Sequence, residues 1–322
     1  MTLEPAGVAD LVREAETRIR EHVRETPLEP SPLFGRLGGA EVFFKCENLQ
    51  YTGSFKIRGA MNKLLTLRPE TLADGVVAAS TGNHGAAVAY GSSRLGIEAE
   101  IFVPETTSSS KVDAIRLAGA RVVFHGRDGV EAEMYARRYA NRNARSYISP
   151  YNDPQVIAGQ GTLGVEILGQ LPEVDAVFVA LGGGGLISGV AAYLKWRRPE
   201  VTVIGCSPRN SAVMIESLRA GRILELPSKP TLSDGTAGGV EAGAITFDLC
   251  RELVDDFETV SEEEIEEALR LFIGSHHQLI EGAAGVAIAA YLKRRESLVG
   301  RRTVIVLCGA NISLEDLGRV LM

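Results

Sequence analysis

From about residue 74 onward, short apolar runs alternate with longer amphipathic stretches. The runs VVAAS (76–80), EIFVP (100–104), RVVFH (121–125), DAVFVAL (175–181), VTVIGCS (201–207) and TVIVLCG (303–309) predict strands. They are continuous rather than alternating, as expected of parallel strands covered by helices on both faces. Between them, 110–118, 128–141, 185–197 and 261–274 predict helices. The last opens on Ser261-Glu262-Glu263-Glu264, a capping box, and then sets Ile265, Leu269 and Phe272 on one face. A further helix is predicted around 10–25, with Leu11, Ala15, Ile19 and Val23 at helical spacing and a stop before Pro27. The pattern is α/β, with largely parallel sheets flanked by helices.

Composition narrows the class. A chain of 322 residues implies one large or two interlocked domains, and 45% apolar with 23% charged residues describes an ordinary globular protein. A formal charge of −7 argues against a nucleic-acid partner. Cys46, Cys206, Cys250 and Cys308 form no Cys-x-x-Cys pair and have no zinc-spaced histidines, so we expect reduced thiols in a cytoplasmic protein. The N-terminus has early acidic residues and no apolar core, so no signal peptide is expected. Residues 176–194 carry no charge and reach membrane-spanning length, but Gly182–Gly185 split them into strand, turn and helix. The chain stops about a dozen residues after its last strand, and we expect no appended regulatory module.

Three strand-to-helix turns carry unusual chemistry, and such turns are where open parallel sheets bind ligands. The tetraglycine turn 182–185 suits an anion, because its amides can approach a phosphate and the next helix adds its dipole. It lacks the Lys and Ser/Thr of a P-loop, and no acidic residue closes the next strand to hold a dinucleotide ribose. The turn Ser80-Thr81-Gly82-Asn83-His84 offers hydroxyls, an amide and a second helix start, which suits a carboxylate. The third turn is Gly309-Ala310-Asn311. Lys56 stands apart, introduced by Gly53-Ser54-Phe55 and followed by Ile57-Arg58-Gly59. An isolated lysine, a phosphate cradle and a carboxylate cradle together are what pyridoxal 5′-phosphate and an amino-acid substrate require. Other polar features read as structural: Arg58 as an ion pair, His276-His277 as a packed or solvated pair, Trp196 to Arg198 as an exposed helix end.

The motifs GSFKIRGA, STGNHG (80–85), VIAGQGT (156–162), GGGGLISG (182–189), SDGTAGG (233–239), EGAAG (281–285) and VLCGAN (306–311) occur in this order. In this the chain resembles the fold-type II pyridoxal-phosphate enzymes, in their threonine/serine dehydratase branch, which includes serine racemase. The resemblance implies a two-domain, tryptophan synthase β-like architecture: a large domain from 1–70 and 150–322, a smaller one at 71–149 closing over substrate. It implies a homodimer or homotetramer. It also implies that Lys56 is the Schiff-base lysine, with Phe55 bordering the cofactor ring and Asn83 bonding the phenolic oxygen. Gly182, Gly183, Gly184, Gly185 and Leu186 would hold the phosphate. Gly235 would lie against the ring, with Glu281 near the pyridine and Cys308 facing its nitrogen. Ser80, Thr81, Gly82 and His84 would surround the substrate carboxylate, with Tyr151 near the substrate side chain.

The implied activity is elimination of water from L-threonine or L-serine, giving a 2-oxo acid and ammonia. Three departures from the branch's pattern bear on this. Cys308 replaces the usual serine, and a thiol is the weaker hydrogen-bond partner. Thr81 supplies a hydroxyl where many threonine dehydratases have alanine, so it is a candidate acid or base and leaves serine racemisation open. Tyr151 stands where phenylalanine is common, leaving open a bulkier 3-hydroxy amino acid such as a phenylserine or a hydroxyectoine-derived one. Ser207, Ser211 and Val213 occupy positions where the racemase-type metal site needs carboxylates, so no metal is expected. A β-replacement synthase would need a second nucleophile as co-substrate.

Overall fold

The computed structural model describes residues 4–322, and within them ten strands form two sheets. The strands are β1 (Leu28–Pro30), β2 (Glu41–Cys46), β3 (Val76–Ala79), β4 (Ala99–Val103), β5 (Arg121–Phe124), β6 (Ser146–Tyr147), β7 (Ala176–Ala180), β8 (Thr202–Pro208), β9 (Asp256–Val260) and β10 (Arg302–Leu307). The larger sheet has the order β1-β2-β10-β7-β8-β9 and is parallel except for the β1–β2 pair. The smaller, β5-β4-β3-β6, is parallel throughout. All six strands expected from apolar runs form.

Four strands were not expected: three lack a continuous apolar run, and in β2 the run Val42-Phe43-Phe44 is cut short by Lys45. β2 carries Lys45, fully buried yet charge-paired; β9 is an edge strand of mixed polarity; β1 ends on a proline; β6 is two residues long. The first helix runs Pro5–Ile19 rather than 10–25. Proline is favoured in a first helical turn, so Pro5 sets an earlier start. The helix ends in a turn in which the His22 and Val23 amides donate to the Ile19 carbonyl at 2.8 and 3.2 Å. The capping box forms as expected: Ser261 Oγ accepts the Glu264 amide at 3.2 Å and Glu264 accepts the Ser261 amide at 2.7 Å. Among the described residues no helix is long and apolar enough to cross a membrane.

The Lys56–Thr66 helix joins the two sheets' cores. Ile57, Ala60, Met61 and Leu64 pack under the smaller sheet together with Ile19 and Val23. Its opposite side lies against the Pro154–Gln170 helix at close range: a methyl on Gly159 would come within 2.5 Å of the Arg58 carbonyl oxygen. Gln160 accepts the Gly59 amide at 3.1 Å. The motif VIAGQGT is therefore a packing surface for the lysine helix.

Arg58 is fully buried and forked onto two carboxylates, Glu47 at 2.7 Å and Glu166 at 2.7 Å. Lys45 and Arg20 also reach Glu166. Burial alone pushes Glu166 upward, but Arg58 and Lys45 hold it down at about 2. His276 stacks on Phe272 and hydrogen-bonds Ser31 at 2.8 Å, while His277 closes its helix in the left-handed region. His276 is packed, His277 is exposed to solvent, and Arg58 is structural.

Two outcomes follow. Breaking a buried ion pair by removing one partner typically costs about 3–5 kcal/mol, so Arg58→Met should lose about that much in urea unfolding. Glu166 lies below its ordinary 4.5, so its contribution is complete above that pH and is lost as pH falls toward 2. The melting temperature of wild type should fall across that window more steeply than that of Glu166→Gln.

Candidate active site

Three loops at strand carboxyl ends meet around Lys56. The Gly53–Phe55 loop is sewn to the turn after β10: Phe55 donates its amide to the Cys308 carbonyl at 3.0 Å, and Ala310 to the Gly53 carbonyl at 2.8 Å. Ser54 and Gly309 form an isolated β-bridge. Lys56 is thus the first residue of a helix whose entry is clamped to the larger sheet. Its amine projects into a cavity of about 1610 Å³ and donates to the Pro150 carbonyl at 2.9 Å. Removal from water pushes it down to about 8, against the opposing pull of Glu281.

The tetraglycine turn follows β7 and starts the Gly185–Arg197 helix. Gly184 has φ of +87°, a left-handed conformation that an L side chain adopts at a cost. Among the described residues no protein acceptor takes the amides of Gly182–Leu186. Such free amides, with the helix dipole behind them, are suited to holding an anion. Tyr151 lies over this loop, so that a methyl on Gly183 would meet its ring at 2.5 Å. The Tyr151 hydroxyl accepts the Glu241 amide at 2.9 Å.

The second cradle follows β3, where Asn83 begins the Asn83–Leu95 helix. Ser80 Oγ accepts the Gly82 amide at 3.2 Å, whereas the amides of Thr81, Asn83, His84 and Gly85 take no protein acceptor among the described residues. The His84 ring is buried, with Nε2 donating to the Ile148 carbonyl at 2.9 Å. Burial and the neighbouring Lys56 push it down to about 3, so it is neutral. His84 can offer its amide to a carboxylate, but not an imidazolium.

Between the cradles sits Glu281, buried at the start of the Gly282–Arg294 helix. Asn83 Nδ2 donates to both its oxygens, at 3.0 and 2.9 Å, the Asn311 amide donates at 3.2 Å, and the Cys308 thiol lies at 3.7 Å. Burial lifts Glu281 to about 7. Burial and Glu281 also push the Cys308 thiol well up, so it stays protonated.

Every residue assigned to the cofactor or substrate from the sequence lines this one cavity, including Phe55, Thr81 and Gly235. Asn311 was not among them. It bonds both Asn83 and the Thr52 carbonyl, and its place in the turn after the last strand was the available signal. The Pro150 carbonyl was also missed, because a main-chain acceptor leaves no mark on residue type. Ser207 and Ser211 are occupied elsewhere, with the Leu181 carbonyl and Ser228. The site suits pyridoxal phosphate: a reactive amine for its aldehyde and an unpaired amide cradle for its phosphate lie in one cavity.

The family model described as pyridoxal-phosphate dependent enzyme matches residues 19–309. An L-threonine ammonia-lyase from Thermotoga maritima is 42% identical over 310 residues, covering 96% of this chain and 77% of that protein. Among solved structures, maize serine racemase is 33% identical with a TM-score of 0.91, covering 97% of this chain and 96% of that one. The processed form of threonine deaminase isoform 2 from Solanum lycopersicum also gives 0.91, at 36% identity, covering 97% and 92%.

At Gly184 a methyl would approach Cys250 and Thr246 to 3.0 Å in a left-handed conformation. That conformation costs an L residue about 1–2 kcal/mol, so Gly184→Ala should weaken pyridoxal phosphate binding about tenfold in an absorbance titration. Far-UV circular dichroism should be unchanged.

Proposed function

We infer the function from one premise: the chain belongs to the pyridoxal-phosphate dependent enzyme family. It is an ammonia-lyase that eliminates water from L-threonine and L-serine and releases ammonia and a 2-oxo acid. The observation carrying this is the convergence of the Lys56 amine with two unpaired amide cradles in one cavity, beside relatives named for threonine ammonia-lyase and dehydratase activity.

Bound pyridoxal phosphate supplies a conjugated, electron-withdrawing system that makes the α-hydrogen of an attached amino acid acidic. Lys56 then takes the Cα proton on Nζ, which a value of about 8 permits near neutral pH. The amides of Thr81, Asn83, His84 and Gly85 orient the substrate carboxylate, with Ser80 holding the turn through Gly82. Gly182–Leu186 hold the phosphate through their amides. Phe55, with its ring 5.2 Å from the Lys56 amine, and Gly235 border the ring's place. Asn83 is held ready by Glu281 and Asn311. Cys308 stays protonated and offers no acidic partner to a ring nitrogen, which favours expulsion of a β-leaving group over a long-lived carbanion. The 71–149 unit moves as the body that closes over the substrate. The chain works as a cytoplasmic homodimer or homotetramer.

A second reading rests on the outer cavity wall, where Leu117, Val130 and Met134 stand exposed. Such an apolar wall suits a bulkier 3-hydroxy amino acid, and comparing kcat/KM for L-threonine, L-serine and a phenylserine ranks the two. Racemisation is a side activity that Thr81 can support, read out as D-serine formation lost in Thr81→Ala.

Ammonia release from L-threonine is the test. Lys56→Ala should lower kcat by about 10⁴-fold or more, since a positioned base alone contributes about 10²–10⁴-fold. Release undiminished in Lys56→Ala, or absent from the reconstituted wild type, overturns the assignment. Capture of pyridoxal phosphate by the apoprotein should speed up as pH rises toward about 8 and then level off.

A further inference from the structure

Among the described residues, two ion pairs tie elements of the smaller sheet's unit to the rest of the chain. They are not equivalent. Lys111 and Asp234 are 3.6 Å apart and both largely in solvent, where such a pair contributes little. The other pair is built into its surroundings. Arg137, on the Gly129–Arg142 helix, reaches Glu133 one turn back at 2.8 Å and Glu241 across the cavity mouth at 2.8 Å. Its guanidinium lies over the Tyr147 ring at 4.4 Å. The second carboxylate oxygen of Glu241 is enclosed without a hydrogen-bond partner among the described residues, so Arg137 is the cation that compensates it.

Glu241 faces two ways. Its side chain binds Arg137, and its amide donates to the Tyr151 hydroxyl at 2.9 Å. The Tyr151 ring rests on Gly183, and its Cβ and backbone lie against Gly185. A continuous set of contacts therefore runs from the smaller sheet's unit through Arg137, Glu241 and Tyr151 to the phosphate cradle.

We propose that Arg137 and Glu241 are a positioning pair for the elimination: their ion pair fixes the smaller unit on the 237–244 segment and, through the Glu241 amide, holds Tyr151 against the glycine loop. Neither residue touches the reacting atoms. The pair sets how firmly cofactor and substrate are held, and leaves the proton transfer at Lys56 alone. The kinetic part of the test rests on the ammonia-lyase assignment; the cofactor-affinity part does not.

The experiment measures pyridoxal phosphate affinity by titration, and KM and kcat for L-threonine by ammonia release, on the reconstituted full chain. Arg137→Ala and the isosteric Glu241→Gln should each raise both the cofactor Kd and KM about fivefold, with kcat within about twofold, as an ion pair of this exposure allows. Lys111→Ala should change neither. Arg137→Ala combined with Tyr151→Phe should weaken cofactor binding by less than the product of the single effects, because the two act along one path. Multiplicative effects, or an unchanged Kd and KM in Glu241→Gln, overturn the proposal. If Arg137→Ala fails to fold, Glu241→Gln alone carries the comparison. A wild type that binds pyridoxal phosphate yet releases no ammonia removes the function assigned above, and the Kd comparison still decides the pair.

Discussion

Two residues past Lys56, a guanidinium with no access to solvent is forked between Glu47 and Glu166. This interaction holds the site together. Burying a charge is costly unless it is paired and hydrogen-bonded, so Arg58 has one acceptable environment, and only one placement of its helix provides it. Glu47 follows β2, Glu166 lies on the Pro154–Gln170 helix, and Thr162 adds a further acceptor at 3.0 Å. The helix that begins with Lys56 is therefore fixed in register and rotation from both sides. The Gly53–Phe55 loop, bonded to the turn after β10, fixes its entry.

With the lysine so placed, the chemistry follows from what surrounds it. Two helices begin in the cavity, and each directs unpaired amides toward it. Both cradles are suited to anions, one with glycines that would admit a phosphate closely, the other with a polar turn that suits a carboxylate. The titratable neighbours are kept from competing. His84 is neutral and turned to Ile148, the Cys308 thiol is protonated, and burial raises Glu281 into the neutral range. Lys56 at about 8 and Glu281 at about 7 are thereby the groups of this set that exchange protons near neutral pH.

Much of this could be read from residue order. Continuous apolar runs revealed six strands, five interior to their sheets and one, β5, at an edge, because parallel strands covered on both faces are mostly apolar. The glycine turn stood out because four such residues exceed what a turn needs. What could not be read has a common physical cause: it depends on partners far away in sequence. β2 is hidden by Lys45, whose charge is acceptable only once Glu166, 121 residues later, is folded beside it. Asn311 acquires its place only by meeting Asn83, and the Pro150 carbonyl only by meeting Lys56. The His84 ring reads in sequence as part of the carboxylate turn, yet its direction is set by Ile148.

The central claim is geometric: one amine and one glycine cradle hold the two ends of the same cofactor. A crystal structure of the chain grown with pyridoxal phosphate tests it most directly. Electron density continuous with Lys56 Nζ, ending in a phosphate on the amides of Gly182–Leu186, is the predicted result. A cofactor joined to another lysine, or a phosphate bound away from that loop, would contradict it.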